Sequence, residues 1–202
     1  MLARRRFMGC GESCPYQRIE YLEANEEGGP ARINTGFYPE GEDLVFTIDF
    51  TLLGVSNIYS VIFSETSAQN LYRIIQWGSS LIANYGTVDG YGGVICETST
   101  LINKRFNAEL SKDKCVLGEK VIALQKGECG RSTAPLCIFD RNSGDRQTFG
   151  RLHSFRISEN GVSVLDLIPV RVGDEGFMYD KVSGRLLGNS GSGRFILGPD
   201  LA

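Results

Sequence analysis

Between Asp43 and Leu53, apolar and polar side chains alternate: Leu44, Phe46, Ile48, Phe50 and Leu52 fall on one side, Val45, Thr47, Asp49 and Thr51 on the other. Successive side chains of a strand point to opposite faces, so this stretch predicts a half-buried strand with one apolar face. Similar β patterns recur at 58–63, 70–77, 79–85, 101–110, 113–117, 120–124, 135–139, 151–158 and 162–170. Turn chemistry fills the breaks. Asn160-Gly161 suits a type I′ hairpin, because both residues tolerate positive φ, and Gly118-Glu119 suits type II′, with glycine first. Asp89-Gly90 and Ser183-Gly184 mark two further turns. No long apolar stripe of helical period appears, so helix should stay under about 10% of the chain, against roughly 30–35% in an average domain. Many short strands at about ten-residue spacing, without a fixed repeat, predict an all-β antiparallel sandwich or barrel and argue against a propeller.

Composition sharpens this picture only in places. A chain of 202 residues with no Pro-rich or Ser-rich linker reads as one domain, long enough to bury a full core. Its 25 glycines exceed the roughly 14 expected from average usage of about 7%, as a turn-rich fold requires. A net charge of -3 argues against a nucleic-acid binder, which needs a basic surplus. No run of about 18 apolar residues predicts a membrane span. Residues 1–15 differ from the rest: Arg4, Arg5 and Arg6 stand in a basic arm without periodicity, ahead of a sandwich domain over 16–202. The arm has the charge of a signal peptide but no apolar segment after it, so the protein is expected to be made and kept in a cytoplasm, or released from one by lysis. Residues 20–49 hold eight acids and one arginine, so the arm can serve as a docking device as well as a frayed end. The six cysteines Cys10, Cys14, Cys96, Cys115, Cys129 and Cys137 lack the paired spacing of a zinc site, and a domain this large needs no disulfides; reduced thiols and no metal are expected.

The C-terminal third carries more specific marks. Gly150-Arg-Leu-His-Ser-Phe-Arg-Ile-Ser-Glu-Asn-Gly161 is followed by Val164-Leu-Asp-Leu-Ile-Pro-Val-Arg171, then Gly176-Phe-Met-Tyr-Asp-Lys-Val-Ser-Gly184 and Gly188-Asn-Ser-Gly-Ser-Gly-Arg-Phe195. With Glu20-Tyr-Leu-Glu23 and Ile33-Asn-Thr-Gly36 near the start, this resembles a laminin-G-like, concanavalin-A-like jelly-roll domain of the type found in gut bacteria, their phages and prophages. The resemblance runs over about residues 17–198, specific at both ends and weak between them. It implies an antiparallel β-sandwich whose first two segments form an opening hairpin, with Asp166, Pro169, Asp180 and the matched glycines as scaffold. Together with the missing export signal and the basic arm, the resemblance points to a non-enzymatic structural or decoration protein of a phage particle (capsid, head fibre or tail) that contacts other virion proteins, further copies of itself and host-surface glycan. The alternatives are a free lectin-like module, in the cytoplasm or at the cell surface, and a glycoside hydrolase on the same fold.

Candidate chemistry is sparse. A sandwich glycosidase needs carboxylates on alternate residues of one strand, and the best strand reads Thr47-Ile-Asp49-Phe-Thr51, with threonines where the acids should stand. Glu40, Glu42 and Asp43 cluster at a turn, as solvated charges do. The single histidine, His153, lies in an alternating strand and reads as a packed residue, and no Gly-x-Ser-x-Gly elbow is present. No catalytic residue and no cofactor are therefore expected. Glycan binding asks for an exposed aromatic ring beside planar polar groups. Trp77, Tyr85, Asp89 and Tyr91 supply these types around a glycine-rich loop, although Trp77 would serve equally as core and the tyrosines as loop caps.

Overall fold

The structure is a computed structural model and describes residues 14–55, 59–65, 72–87, 92–140 and 147–202. In chain order its strands begin with β1 (Gln17–Arg18), β2 (Leu22–Ala24), β3 (Ile33–Asn34), β4 (Leu44–Val55), β5 (Tyr59–Ser64) and β6 (Tyr72–Trp77). They continue with β7 (Ser80–Tyr85), β8 (Gly93–Glu97), β9 (Arg105–Ser111), β10 (Lys114–Leu117), β11 (Lys120–Ala123) and β12 (Cys137–Ile138). The last are β13 (Thr148–Glu159), β14 (Val162–Val172), β15 (Glu175–Asp180), β16 (Leu186–Leu187) and β17 (Ile196–Leu197). Among the described residues the helical content is one 3₁₀ turn, Thr98–Thr100, and no helix is long and apolar enough to cross a membrane.

Two antiparallel sheets form a β-sandwich of jelly-roll type. The larger runs β11-β10-β9-β4-β13-β14-β15-β16, and the smaller runs β3-β12-β5-β6-β7-β8. Their facing sides hold one core. Phe46, Ile48 and Phe50 of β4 are fully buried, and Phe63, Ile74 and Leu81 meet them from the smaller sheet. Phe46 lies 5.7 Å from Phe63 between ring centroids, and Phe63 lies 5.3 Å from Phe155. The turns follow the chemistry of their residues. Asn160 and Gly161 both take positive φ (50° and 76°) between β13 and β14, as type I′ requires, and Gly118 (57°) opens the β10–β11 turn.

One expectation fails here. The segments containing Tyr21 and Ile33 do not form a hairpin: β2 pairs with β13 and β17 in the larger sheet, while β3 pairs with β12 in the smaller. The chain crosses between layers because Leu22 and Ile33 are each needed in the core from opposite sheets. Both ends of the described chain are knitted in beside β13 and β14. Gln17 and Arg18 pair with Arg171 and Val170, Ile196 and Leu197 pair with Glu23 and Leu22, and Ile19 bridges to Asp200. The basic arm with Arg4, Arg5 and Arg6 lies outside the described residues.

Candidate functional site

The predicted glycan platform does not assemble as a unit. On β6, Tyr72 and Ile74 enter the core, so Trp77 is left on the outward parity with Arg73, 46% exposed at the β6–β7 turn. Its reading as a core residue is excluded. Tyr85 stands at the other end of β7, about 17 Å away along a strand of six residues at ~3.4 Å per residue. It continues the inward parity of Leu81 and Ala83 and is fully buried, its ring 5.0 Å from that of Tyr72. Its hydroxyl donates to the Leu44 carbonyl and accepts from the Leu44 N–H, both at 3.0 Å, and burial pushes its pKa well above the usual phenol value. Tyr85 therefore pins the start of β4 and offers no ring to a ligand. Asp89 and Tyr91 lie outside the described residues.

The other sequence candidates occupy structural posts. Asp49 on the outward side of β4 is clamped by Arg105, at 2.8 and 2.7 Å from Nε and Nη2. Glu42 pairs with Lys112, and Glu40 stands 3.8 Å from Arg131 on an exposed face. His153 is 8% exposed. Its Nδ1 meets the Glu20 carbonyl at 3.2 Å, and since a carbonyl only accepts, Nδ1 carries the proton. Nε2 is then free to accept from the Thr51 hydroxyl at 3.0 Å. Burial, then the Arg105 charge, lowers the His153 pKa from 6.5. The ring fastens the N-terminal segment to β4 and β13. The described cysteines form no disulfide with one another, and burial raises the Cys115 thiol to about 12 and the Cys137 thiol to about 11, which disfavours the reactive thiolate.

A formed cleft lies elsewhere, between the β14–β15 turn and the glycine-rich segment after β16. It encloses about 520 Å³, within the range of roughly 300–1,000 Å³ usual for small-ligand sites. Asp174, Glu175 and Phe177 line one wall; Gly188, Arg194 and Phe195 line the other. The first wall follows from a two-residue turn, Gly173-Asp174, with Gly173 at φ 60° and Val172 paired to Glu175. The second is organised by Asn189. Its Oδ1 accepts from Arg32 N–H at 2.9 Å and Gly191 N–H at 2.8 Å, while its Nδ2 donates to the Gly191 and Gly193 carbonyls. The segment zips onto residues 28–32 through Gly193 N–H to the Pro30 carbonyl at 2.6 Å and Arg194 N–H to the Gly28 carbonyl at 2.8 Å.

That close approach explains the Gly-x-Gly spelling. A Cβ at Gly191 would stand 2.3 Å from the Pro30 oxygen, and one at Gly193 would stand 2.5 Å from the Gly28 oxygen. Gly188 makes room for the Phe177 ring, whose edge would be 3.1 Å from a Cβ there. Phe195 turns inward, 5.5 Å from Phe139, and ties the wall to the core. The result is a fixed cleft with a half-buried aromatic ring, two carboxylates and a guanidinium. In the sequence these glycines read as scaffold, and no pattern there marks Asp174, Glu175, Phe177 or Arg194 as site residues. Only the fold brings residues almost twenty positions apart to one cleft.

No family model matches the chain, and no curated protein matches it. Among solved structures the chain is similar to a "putative carbohydrate binding protein" from Bacteroides ovatus, with a TM-score of 0.61 and 10% identity over 93% of this chain. The chain spans 62% of the length of that structure. At this identity the likeness is one of fold alone, an all-β sandwich.

Proposed function

We propose that the protein is a non-catalytic carbohydrate-binding module whose sugar site is the cleft between the β14–β15 turn and the glycine-rich wall. The observation that carries this reading is the Phe177 ring set among Arg194, Asp174 and Glu175 in a cleft of about 520 Å³. A ring face takes the C–H side of a pyranose, and planar charged groups engage its hydroxyls. The Bacteroides ovatus fold neighbour, described as carbohydrate-binding, supports the same class of ligand. The wall is already held by its own hydrogen bonds, so little ordering cost falls on binding. The pairing of Asp49 with Arg105 and the engagement of His153 support a module without turnover.

A glycan array followed by titration calorimetry tests the proposal. At least one glycan should bind without being cleaved, and Arg194→Ala and Phe177→Ala should each weaken binding by about tenfold or more, which is 1.4 kcal/mol. Melting of the Arg194→Ala protein should be unchanged. Binding that survives both changes and is lost in Trp77→Ala would move the site to the outward face of the smaller sheet. The finer reading, a phage-particle component, is supported by the sequence resemblance and the basic arm. A chain lacking residues 1–14 that still enters particles would remove the arm's part in it.

A further inference from the structure

The charges of the cleft bear on which sugars it would take, a question that rests on the carbohydrate-binding reading. Asp174 and Glu175 are neighbours on one wall, and Arg194 is on the other. Among the described residues none of the three is in an ion pair. Asp174 adds to the field that raises the Arg171 pKa, but Arg171 is already clamped by Asp200, at 2.6 and 2.7 Å, and that pair carries no net charge. Two carboxylates against one guanidinium leave the cleft with a surplus of one negative charge, in a chain whose net charge is already -3.

The polar inventory points the same way. Asn189 already occupies the Gly191 and Gly193 carbonyls, and Pro30 takes the Gly193 N–H, so the backbone of the wall is largely committed. The groups left to a ligand are guanidinium N–H donors and carboxylate acceptors. A sugar hydroxyl both donates and accepts, and so satisfies both kinds at once. A sugar carboxylate only accepts, and it would bring a third negative charge beside Asp174 and Glu175. We infer that the cleft selects uncharged glycans over uronate-bearing ones, with Asp174 and Glu175 as the residues that set this selectivity.

The test compares neutral oligosaccharides found by the array with counterparts of the same linkage oxidised to uronates, using the full chain and the Asp174→Asn/Glu175→Gln double variant. In low salt the uronates should bind about tenfold more weakly than their neutral partners, and the gap should shrink as salt rises. In the double variant, which keeps an acceptor oxygen at each position, the ratio of neutral to uronate affinity should close to about threefold or less, whatever the change in neutral affinity itself. Uronates that bind the unaltered chain as well as neutral partners, or a gap that the double variant leaves unchanged, would overturn the selectivity and leave carbohydrate binding standing. A chain that binds no glycan of either charge overturns both.

Discussion

Phe50 and Asp49 are adjacent in sequence and differ sharply in what they hold. Phe50 is fully buried between Phe106 and Phe139, at 6.1 and 5.6 Å, so Phe50→Ala should cost about 3–5 kcal/mol in chemical denaturation. Asp49 faces outward into a largely exposed arginine, and Asp49→Asn should cost below about 1 kcal/mol. Equal losses would place β4 in the wrong register. His153 supplies a pH signature. Its folded pKa lies below 6.5, chiefly through burial and then the Arg105 charge, with Asp49 and Glu20 acting in the opposite sense. The unfolded chain therefore takes up a proton at higher pH than the folded one. The stability involved is full above about pH 6.5 and falls as pH drops through the lowered value, and His153→Gln should flatten that slope in denaturation curves taken at several pH values. The β4 alternation was plain in the sequence because every polar residue sat on one parity. On β6 the outward parity holds Ile75 and Trp77 and the inward one holds Gln76, so nothing in the pattern said which side of the sheet Trp77 would take. Tyr85 was legible in principle, through Leu81 and Ala83, but the glycines after it drew it into the loop reading.

At the level of elements, the long strands were readable and the short ones were not. A strand of two or three residues such as β2, β3 or β17 has no period to detect, and its partner lies a hundred or more residues away in the chain. Hence the opening hairpin expected from the resemblance dissolves into strands of two different sheets, while the Asn160-Gly161 and Gly118-Glu119 hairpins stand. The cleft was illegible for a related reason: its walls are a turn and a glycine-rich segment, each spelled for local geometry. The short strands nevertheless matter to stability. β17 pairs with β2, Leu197 packs against the core, the Glu20 N–H donates to the Pro199 carbonyl at 2.9 Å, and Arg171 grips Asp200. Removing residues 196–202 should thus cost at least about 2 kcal/mol, from lost backbone hydrogen bonds and apolar contact, and lower the melting temperature. A truncated chain that melts with the full one would show that β17 is ornamental.

Over the whole molecule, the defining contact joins distant parts of the chain: Leu44 to Val55 pair with Glu159 to Thr148, and the two ends meet beside them. Such non-local pairing predicts slow refolding, in the range of milliseconds to seconds that sandwiches share, measurable by stopped-flow fluorescence. The deeply placed Cys115 and Cys137 should resist alkylation in the native protein and react once it unfolds, so labelling can follow the same transition. The meeting of the ends also decides how the molecule yields to force. Gln17 and Leu201 lie together, and behind them come Ile19 with Asp200, Leu22 with Leu197 and Glu23 with Ile196. Tension applied through the two ends would load these contacts one after another, like the teeth of a zipper, and the chain should give way in small steps at low load. Handles at Asp43 and Gln147, at opposite ends of the β4–β13 pair, would instead load the whole ladder in shear, and the same fold pulled along that axis should hold to a much higher force.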